Sequence, residues 1–342
     1  MTAGVVAVVF RLLAGVAPVL LFLAALLLLD SWKLVTRRAV LRSIAWGMAA
    51  AAIAFALNAA LLTWARLDPL VLKRYAAPIV EESLKAALLV GMIRGGRVGF
   101  LVDAAIHGFA AGTGFALVEN AYYAGSGASG LALWIVRGLG TAVMHGSATA
   151  IAGILAKSLS DRFGGAATPR WLVPAVATAA VVHSLYNHLL LSPLLVTAGM
   201  IALLPLLVAF VFERSERATA AWIGEGLDSE VELLELIASG EFRRTHAGAY
   251  LEALRQRFPG PVVADMLCWL QIRLELAVRA KGLLLARAAG VDLPVDPDVR
   301  ANFTEMEFLE KSIGPTGKLA LLPLVRGSAR DLWQLRLLAE RG

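Results

Sequence analysis

AAPIVEESLKAALLVGMI, residues 76–93, is an apolar run almost long enough to cross a membrane, yet it carries two adjacent glutamates and a lysine. A second run, DAAIHGFAAGTGFALVENAYYA at residues 103–124, carries Glu119. These three are the only glutamates in the first 212 residues. A charged side chain at the centre of a membrane helix costs about 2.5–3.5 kcal/mol, so such side chains are usually functional. The sequence therefore predicts a membrane protein with ionisable chemistry inside the bilayer.

The composition is that of a multi-pass membrane protein, with 58% hydrophobic residues, 17% charged residues and a mean hydropathy of +0.71. Residues 1–212 hold 15 Lys and Arg against 7 Asp and Glu, whereas residues 213–342 hold 17 against 19. The basic surplus therefore lies in the apolar half and its loops, where it indicates membrane topology rather than a nucleic-acid partner. The single cysteine, Cys268, excludes an intrachain disulfide and a zinc site built from several cysteines.

Seven apolar segments are long enough, or nearly so, to span a bilayer. They are residues 5–29, 43–64, 76–93, 99–124, 131–156, 171–191 and 193–212. The first segment is too long for the hydrophobic region of a signal peptide, so we expect it to remain as a transmembrane helix. The predicted fold is an all-α, multi-pass transmembrane bundle of about seven spans.

Lysines and arginines in the loops predict the orientation of this bundle. The basic loops 30–42, 94–98 and 157–170 alternate along the chain and should face the cytoplasm. This places the N-terminus outside and the C-terminal region inside, in the plasma or inner membrane. One loop disagrees, because three basic residues fall on the predicted outer side: Arg66, Lys73 and Arg74.

The chain changes character after residue 212, so we predict a transmembrane domain at 1–212 and a helical cytoplasmic domain at 213–342. Breaks at FPGP, GVDLPVDPD and GPTG divide the second domain into four or five amphipathic helices. The segment SEVELLELIASG, starting at Ser229, has a cap at its start and Gly240 at its end. Its composition suggests a domain that senses a signal or recruits a cytoplasmic protein partner.

The motif EESLK places Lys85 four residues after Glu81 and three after Glu82, so the lysine can pair with either carboxylate on the helix surface. Pairing would neutralise one carboxylate and leave the other to act as a general base. A simpler explanation is that both glutamates lie in a first helical turn after Pro78, where the helix dipole favours acids. A helix start requires neither the pair nor the lysine, so we favour the functional interpretation.

Three neighbouring segments supply further polar groups. FALVEN contributes Glu119 and Asn120, and the two following segments contribute His145 and the pair His183 and Asn187, which lie one turn apart on one helix face. Each group has a structural alternative, either a snorkelling glutamate or a histidine that bonds two helices. The spacing of two glycines in the FALVEN segment, GFAAG at 108–112, lets another helix approach closely.

Depth in the bilayer gives a test of whether these groups meet. Counted from the predicted outer helix ends at ~1.5 Å per residue, Glu82, Glu119 and His183 lie about 9, 8 and 12 Å deep. His145 lies ~21 Å deep if its helix begins at residue 131, but about 12 Å deep if Arg137 marks the surface. We therefore expect four helices to direct polar groups into one layer in the outer half of the bilayer.

EESLK, FALVEN, the His145 helix and HSLYN together resemble the PrsW family of intramembrane proteases, which is related to the CAAX prenyl endopeptidases. The resemblance covers about residues 76–191. It implies a membrane-embedded peptidase, usually classed as a metalloprotease, that cleaves membrane-anchored protein substrates. The catalytic residues that it suggests in this sequence are Glu81, Glu82, Lys85, Glu119, Asn120, His145, His183 and Asn187.

The resemblance leaves two mechanisms open. If a metal is bound, His145, His183 and Glu119 would form a three-ligand zinc site, and Glu81 or Glu82 would deprotonate its water. If no metal is bound, a glutamate would activate water directly while His183 and Asn187 stabilise the oxyanion.

Two other classes of protein compete with this interpretation. GASG at 127–130 matches the GxSG of a rhomboid-like serine protease, with Ser129 as nucleophile, but it leaves three buried glutamates unexplained. The same polar layer could also belong to a non-catalytic scaffold or to a proton or ion relay. We find no internal repeat of the kind that transporters commonly show.

Overall fold

The computed structural model describes residues 3–126, 130–163, 169–291, 293–294, 296–325 and 329–339. Every regular element within these ranges is a helix, which confirms the all-α prediction for this part of the chain. The chain divides into two compact units, Met1–Ser215 and Glu216–Gly342. The functions assigned above to the two halves remain predictions.

The first unit is built from long helices joined by short connections. Its α-helices are α1 (Ala3–Leu29), α2 (Arg37–Thr63), α3 (Pro69–Val71), α4 (Ala77–Arg94), α5 (Leu101–Gly125), α6 (Leu131–Ile135), α7 (Val143–Arg162), α8 (Pro169–His188) and the first part of α9 (Pro193–Ala238). Two π-helical segments, Leu72–Ala76 and Val136–Ala142, join α3 to α4 and α6 to α7 without a break.

Five helical segments of the described chain are long and apolar enough to cross a membrane: Val5–Leu29, Arg37–Thr63, Leu101–Gly125, Leu131–Arg162 and Pro193–Ala238. The predicted count of seven is therefore not confirmed. The two predicted spans that fall short are α4 and α8. In α4 the reason is charge, because its 18 residues include two glutamates, a lysine and an arginine. The two helices that are not long and apolar enough to count as spans, α4 and α8, thus both carry polar side chains of the predicted site.

Glycines bring α5 into backbone contact with its neighbours. A Cβ atom added to Gly112 would lie 2.2 Å from the carbonyl oxygen of His145, and one added to Gly114 would lie 2.0 Å from that of Ile44. Only glycine permits this approach, so α7 and α2 pack directly on the α5 backbone. The close packing brings the polar side chains of α5 and α7 within reach of each other.

The second unit has a hydrophobic core that includes Met266, Leu276 and Leu283. Its elements are the remainder of α9, a 3₁₀ turn (Glu241–Arg244), α10 (His246–Ala253), a 3₁₀ turn (Leu254–Gln256), α11 (Gly260–Ala288), α12 (Asp298–Leu321), a 3₁₀ turn (Leu322–Leu324) and α13 (Ala329–Ala339).

One sequence expectation for this region is wrong, because no helix starts at Ser229. Helix α9 continues from Pro193 to Ala238, and the Ser229 hydroxyl donates back to the Gly226 carbonyl instead of capping a new helix. The stretch between the apolar run and Ser229 contains no proline, so nothing interrupts the helix there. The helix does end where expected, before Gly240, which has a left-handed φ of 76°.

Candidate active site

Glu81 and Glu82 lie in the interior of a continuous helix. The helical backbone runs from Pro69 through the π-helical segment Leu72–Ala76 into α4, so no free helix start precedes the pair. The dipole effect falls off within the first turn of a helix, and the simpler explanation of the two acids therefore does not apply. Consecutive residues point about 100° apart, which gives the two carboxylates different surroundings.

Glu82 is fully buried and accepts hydrogen bonds from three other side chains. Its Oε1 accepts from Lys85 Nζ at 2.5 Å and lies 3.0 Å from His183 Nδ1, and its Oε2 accepts from Thr149 Oγ1 at 3.1 Å. An ionised carboxylate can only accept, so Nδ1 of His183 carries the hydrogen in this bond. In the neutral form of the imidazole, the other ring nitrogen, Nε2, is an acceptor.

Glu81 is the more open member of the pair. Its side chain is 14% exposed, whereas that of Glu82 is 0% exposed. Its Oε1 accepts from Asn58 Nδ2 of α2 at 3.3 Å, and its Oε2 lies 3.9 Å from His183 Nε2, too far for a direct hydrogen bond. Glu81 Oε2 and His183 Nε2 are thus separated by a short gap with no direct hydrogen bond between them.

His145 of α7 lies between Lys85 and Glu119. Its Nδ1 is 3.1 Å from Lys85 Nζ, and its Nε2 is 3.1 Å from Glu119 Oε2. A lysine ammonium only donates, so Nδ1 accepts and Nε2 donates to the carboxylate in this arrangement. Two rings fix its orientation, since the centroid of Phe115 lies 4.9 Å away and that of His183 lies 4.8 Å away, edge to face.

Arg137 lies beside Glu119 and contacts the same carboxylate oxygen as His145. An Arg137 NH2 atom lies 3.3 Å from Glu119 Oε2, and Arg137 Nε donates to Asn120 Oδ1 at 2.8 Å. Asn120 in turn donates to the Gly15 carbonyl of α1 at 2.7 Å. Arg137 is buried within the first unit, at 8% exposure, and its depth in the bilayer stays a prediction. Asn120 contacts the arginine rather than the histidines.

Asn187, by contrast, is half-buried and does not join the cluster. Its Nδ2 donates to the Lys73 carbonyl at 2.9 Å, and the neighbouring Ser184 Oγ donates to the Arg74 carbonyl at 2.5 Å. Both carbonyls belong to the π-helical segment Leu72–Ala76. A π-helix disturbs the regular i to i−4 bonding, which leaves backbone oxygens for side chains to satisfy. In this structure Asn187 therefore fastens α8 to the segment that leads into α4.

Three residues of the site were missed in the sequence: Asn58, Arg137 and Thr149. Asn58 and Thr149 are single polar residues in apolar helices, a pattern too common to single out. Arg137 did give a signal, because a lone charge inside LALWIVRGLG is as costly in a bilayer as the glutamates. The predicted nucleophile of the serine-protease alternative, Ser129, lies outside the described residues.

One group of side chains in the described part of the chain has the donors and spacing to hold a metal ion: Glu81, His145 and His183. One ligand atom from each lies within 4.8 Å of the other two. Two imidazoles and a carboxylate are the donor set of several catalytic zinc sites. The Glu82 bond to His183 Nδ1 is the outer-shell contact that typically orients such a ligand. The set predicted from the sequence differs, since it has Glu119 in place of Glu81.

The three donor side chains fit a divalent metal ion if one hydrogen bond of His145 opens. Glu81 Oε2 and His183 Nε2 lie 3.9 Å apart without a direct hydrogen bond, whereas both ring nitrogens of His145 already have partners, Lys85 and Glu119. Metal binding through His145 therefore requires one of these two hydrogen bonds to be given up.

Comparison with known proteins supports the assignment that the motifs suggested. No curated protein and no solved structure matches the chain with significance. The sequence model of one family, described as PrsW family intramembrane metalloprotease, matches residues 35–212, more than half of the chain. The matched region includes α2, α4, α5, α7 and α8, and with them every side chain of the cluster described above. The resemblance to this family is thus confirmed: the chain belongs to the PrsW family of intramembrane metalloproteases.

Proposed function

We propose that this membrane protein is an endopeptidase that hydrolyses a peptide bond in membrane-anchored protein substrates. The observation that carries the proposal is the convergence of Glu81, His145 and His183, whose ligand atoms lie within 4.8 Å of one another inside the helical bundle. Charged and imidazole groups buried among membrane helices are costly and usually serve function. Membership of a protease family supports the reaction class.

The paired glutamates have different tasks in this proposal. Glu82 accepts from Lys85 and Thr149 and binds His183 Nδ1, so its oxygens have little capacity left for a substrate or a water. Glu82 is therefore a positioning residue. Glu81 has one long hydrogen bond, from Asn58, and faces the gap beside His183, so Glu81 handles the reacting water.

The hydrolysis follows from general acid–base chemistry at Glu81. A water oxygen attacks the carbonyl carbon of the scissile bond, and the Glu81 carboxylate takes the proton that the water loses. The carbon–nitrogen bond then breaks, and the Glu81 carboxyl gives this proton to the leaving amine nitrogen. A positioned acid–base group of this kind typically contributes about 10²–10⁴-fold to the rate. Asn187 is not given the predicted oxyanion role, because its amide is bound to the Lys73 carbonyl.

Glu81, His145 and His183 are the residues that would hold a metal, and zinc is the ion that their donor set suits. When bound, such an ion supplies Lewis-acid polarisation of a carbonyl or of a water. Glu82 would keep His183 oriented, and Glu119 would do the same for His145. Glu81 is essential with or without the metal, as base in one case and as carboxylate donor in the other.

The substrate reaches this site from the bilayer. The carboxylates lie among helices with membrane-spanning composition, so a membrane-anchored segment is the substrate class that can approach them. Such a segment must unwind locally, because a helical peptide bond is shielded by its own backbone hydrogen bonds. We place the protein in the cell membrane with the second unit in the cytoplasm, as the loop charges suggest.

The test is cleavage of a panel of single-span membrane proteins by the full-length protein in nanodiscs. We expect cleavage by the wild type and a loss of at least about 10²-fold in kcat for Glu81→Gln and for His183→Ala. Glu305→Gln, which makes the same chemical change at an exposed glutamate of the second unit, is the matched control and should cleave normally. Loss of activity with a zinc chelator, restored by added zinc, would select the metal mechanism over direct activation by Glu81.

Two results would contradict the proposal. Cleavage that persists in both Glu81→Gln and His183→Ala would exclude this cluster as the active site. A wild type as inactive as the two variants on every substrate would favour a non-catalytic scaffold.

A further inference from the structure

Arg137 is a buried positive charge that the reaction described above does not use. It belongs to the π-helical segment Val136–Ala142, which leads without interruption into the helix that carries His145. Single π-helical turns within α-helices occur frequently at functional sites. A guanidinium inside an apolar bundle is costly, and such groups almost always pair with another charge or line a functional pathway. The side chain therefore requires an explanation.

The contacts of Arg137 form a chain that ends on His145. Gly15 of α1 accepts from Asn120 at 2.7 Å, and Asn120 accepts from Arg137 Nε at 2.8 Å. The Arg137 NH2 atom lies 3.3 Å from Glu119 Oε2, and the same oxygen lies 3.1 Å from His145 Nε2. The contact with Glu119 is an ion pair rather than a hydrogen bond, since the buried Arg137 NH2 atom has no hydrogen-bond partner among the described residues. The planar guanidinium thus binds an amide through Nε and places its charge beside a carboxylate.

The ring of Tyr123 completes the clamp, because the Arg137 Cζ atom lies 3.8 Å from the centre of this ring. Arg137 is thus held by Asn120 on one side and by an aromatic face on another. A lysine in its place would keep the charge but lose the fork and most of the stacking. The geometry therefore depends on arginine rather than on positive charge alone.

We propose that Arg137 is a positioning residue of the active site, which holds the Glu119 carboxylate against His145 Nε2 and so fixes the orientation of this imidazole. The inference rests on the proposed function, since it concerns one of the residues that would hold the metal. Arg137 itself touches neither substrate nor metal. Outer-shell groups of this kind typically change metal affinity or activity by about 10–100-fold when they are removed.

The experiment measures two quantities on full-length protein in nanodiscs: the zinc affinity, by competition with a chelator, and the separate values of kcat and KM for a cleaved substrate. The variants are Arg137→Gln, Arg137→Lys, Asn120→Ala and the double variant Arg137→Gln/Asn120→Ala. Arg66→Gln, at an exposed arginine of the first unit, is the matched control for the loss of one charge. Thermal unfolding of each variant shows whether the fold is retained.

We expect Arg137→Gln to lower both kcat and zinc affinity by about 10–100-fold with little change in KM. Arg137→Lys should recover part of this loss, because it retains the charge beside Glu119. Asn120→Ala should act in the same direction but more weakly. The double variant should be no more than about twofold worse than Arg137→Gln alone, because both substitutions break one chain of contacts.

If Arg137 had a purely structural role, its variants would give a different result. Arg137→Gln would then lower the thermal stability while kcat and zinc affinity in the folded protein match the wild type, and this result would overturn the inference. Effects of Arg137→Gln and Asn120→Ala that simply add would also overturn it. A wild type that cleaves nothing but binds zinc would contradict the proposed function alone, since the zinc affinities of the variants would still decide the role of Arg137.

Discussion

Each unit of this protein contains a buried lysine bound to a glutamate, and only one of the two pairs belongs to a candidate active site. In the first unit Lys85 Nζ lies 2.5 Å from Glu82 Oε1, and in the second unit Lys281 Nζ lies 2.6 Å from Glu230 Oε1. Both lysines are almost completely buried. Burial and charge pairing alone therefore do not distinguish an active site from a structural ion pair.

The two ion pairs differ in the other side chains that each of them contacts. Lys281 donates to both oxygens of Glu230 and to Gln334 Oε1 at 3.0 Å, which uses all three hydrogens of the ammonium, and it lies 4.5 Å from the centre of the Trp222 ring. Its contacts join α9, α11 and α13 and are complete within the second unit. This pair is explained fully by packing.

The pair of the first unit leads instead to groups that retain bonding capacity. Lys85 also contacts His145, and Glu82 also binds His183, whose Nε2 faces Glu81 across 3.9 Å. A carboxylate oxygen and an imidazole nitrogen thus lie close together without a direct hydrogen bond between them. The comparison indicates that the convergence of possible ligand atoms, rather than a buried ion pair, distinguishes the candidate site.

The largest effect on stability is expected from breaking the structural pair. Lys281→Met should destabilise the second unit by about 3–5 kcal/mol, because it leaves the Glu230 charge without its partner. The double variant Lys281→Met/Glu230→Gln should recover part of this loss, since neither charge then remains. Hydrogen exchange of the α11 and α13 amides in the full-length protein measures the change. A double variant no more stable than the single one would contradict the description of this pair as structural.

The corresponding change at the site should act on catalysis. Glu82→Gln removes the carboxylate that orients Lys85 and His183, so we expect kcat to fall by about 10–100-fold, which is roughly 1.4–2.7 kcal/mol. Glu230→Gln makes the same change in the second unit and should leave kcat unaltered. The cleavage assay described above measures both. Equal kcat values in the two variants would remove the distinction between the pairs.

The smallest effects are expected at two glycines that lie against the two clusters. A Cβ atom at Gly112 would meet the His145 backbone oxygen at 2.2 Å, so Gly112→Ala should cost about 1–3 kcal/mol of stability and disturb the site. The atoms nearest to a Cβ at Gly226 would belong to the Lys281 side chain, with Cε at 2.6 Å, and a side chain can shift further than a backbone carbonyl. Gly226→Ala should therefore cost less, and alanine also gains about 0.5–1 kcal/mol over glycine within a helix.

Thermal unfolding of both glycine variants, read with the kcat of each, tests this expectation. Gly112→Ala should lower both quantities, whereas Gly226→Ala should leave kcat as it is. A Gly226→Ala variant less stable than Gly112→Ala would mean that the cluster around Lys281 is the more rigid of the two.

Much of the site was predictable because the bilayer makes polar residues conspicuous. Glu81, Glu82 and the histidines are rare ionisable groups in long apolar runs, and their estimated depths place them in one layer. Asn58 and Thr149 gave no such signal, since single hydroxyl and amide groups are common in apolar helices. Arg137 gave the signal but was ambiguous, because an arginine in an apolar run can also mark the end of a span.

The all-helical class, the membrane character and the family could be predicted from residue order, because they depend on composition, on the length of apolar runs and on motif order. The partner of each polar atom, by contrast, became known only from the packing of the helices. This packing directs Lys85 to Glu82 rather than to Glu81, turns Asn187 away to the Lys73 carbonyl and brings Arg137 to Glu119. The reason is physical: helical spacing specifies the face on which a side chain lies, but the close approach of α5 to α7 and the two π-helical segments specify what that face meets.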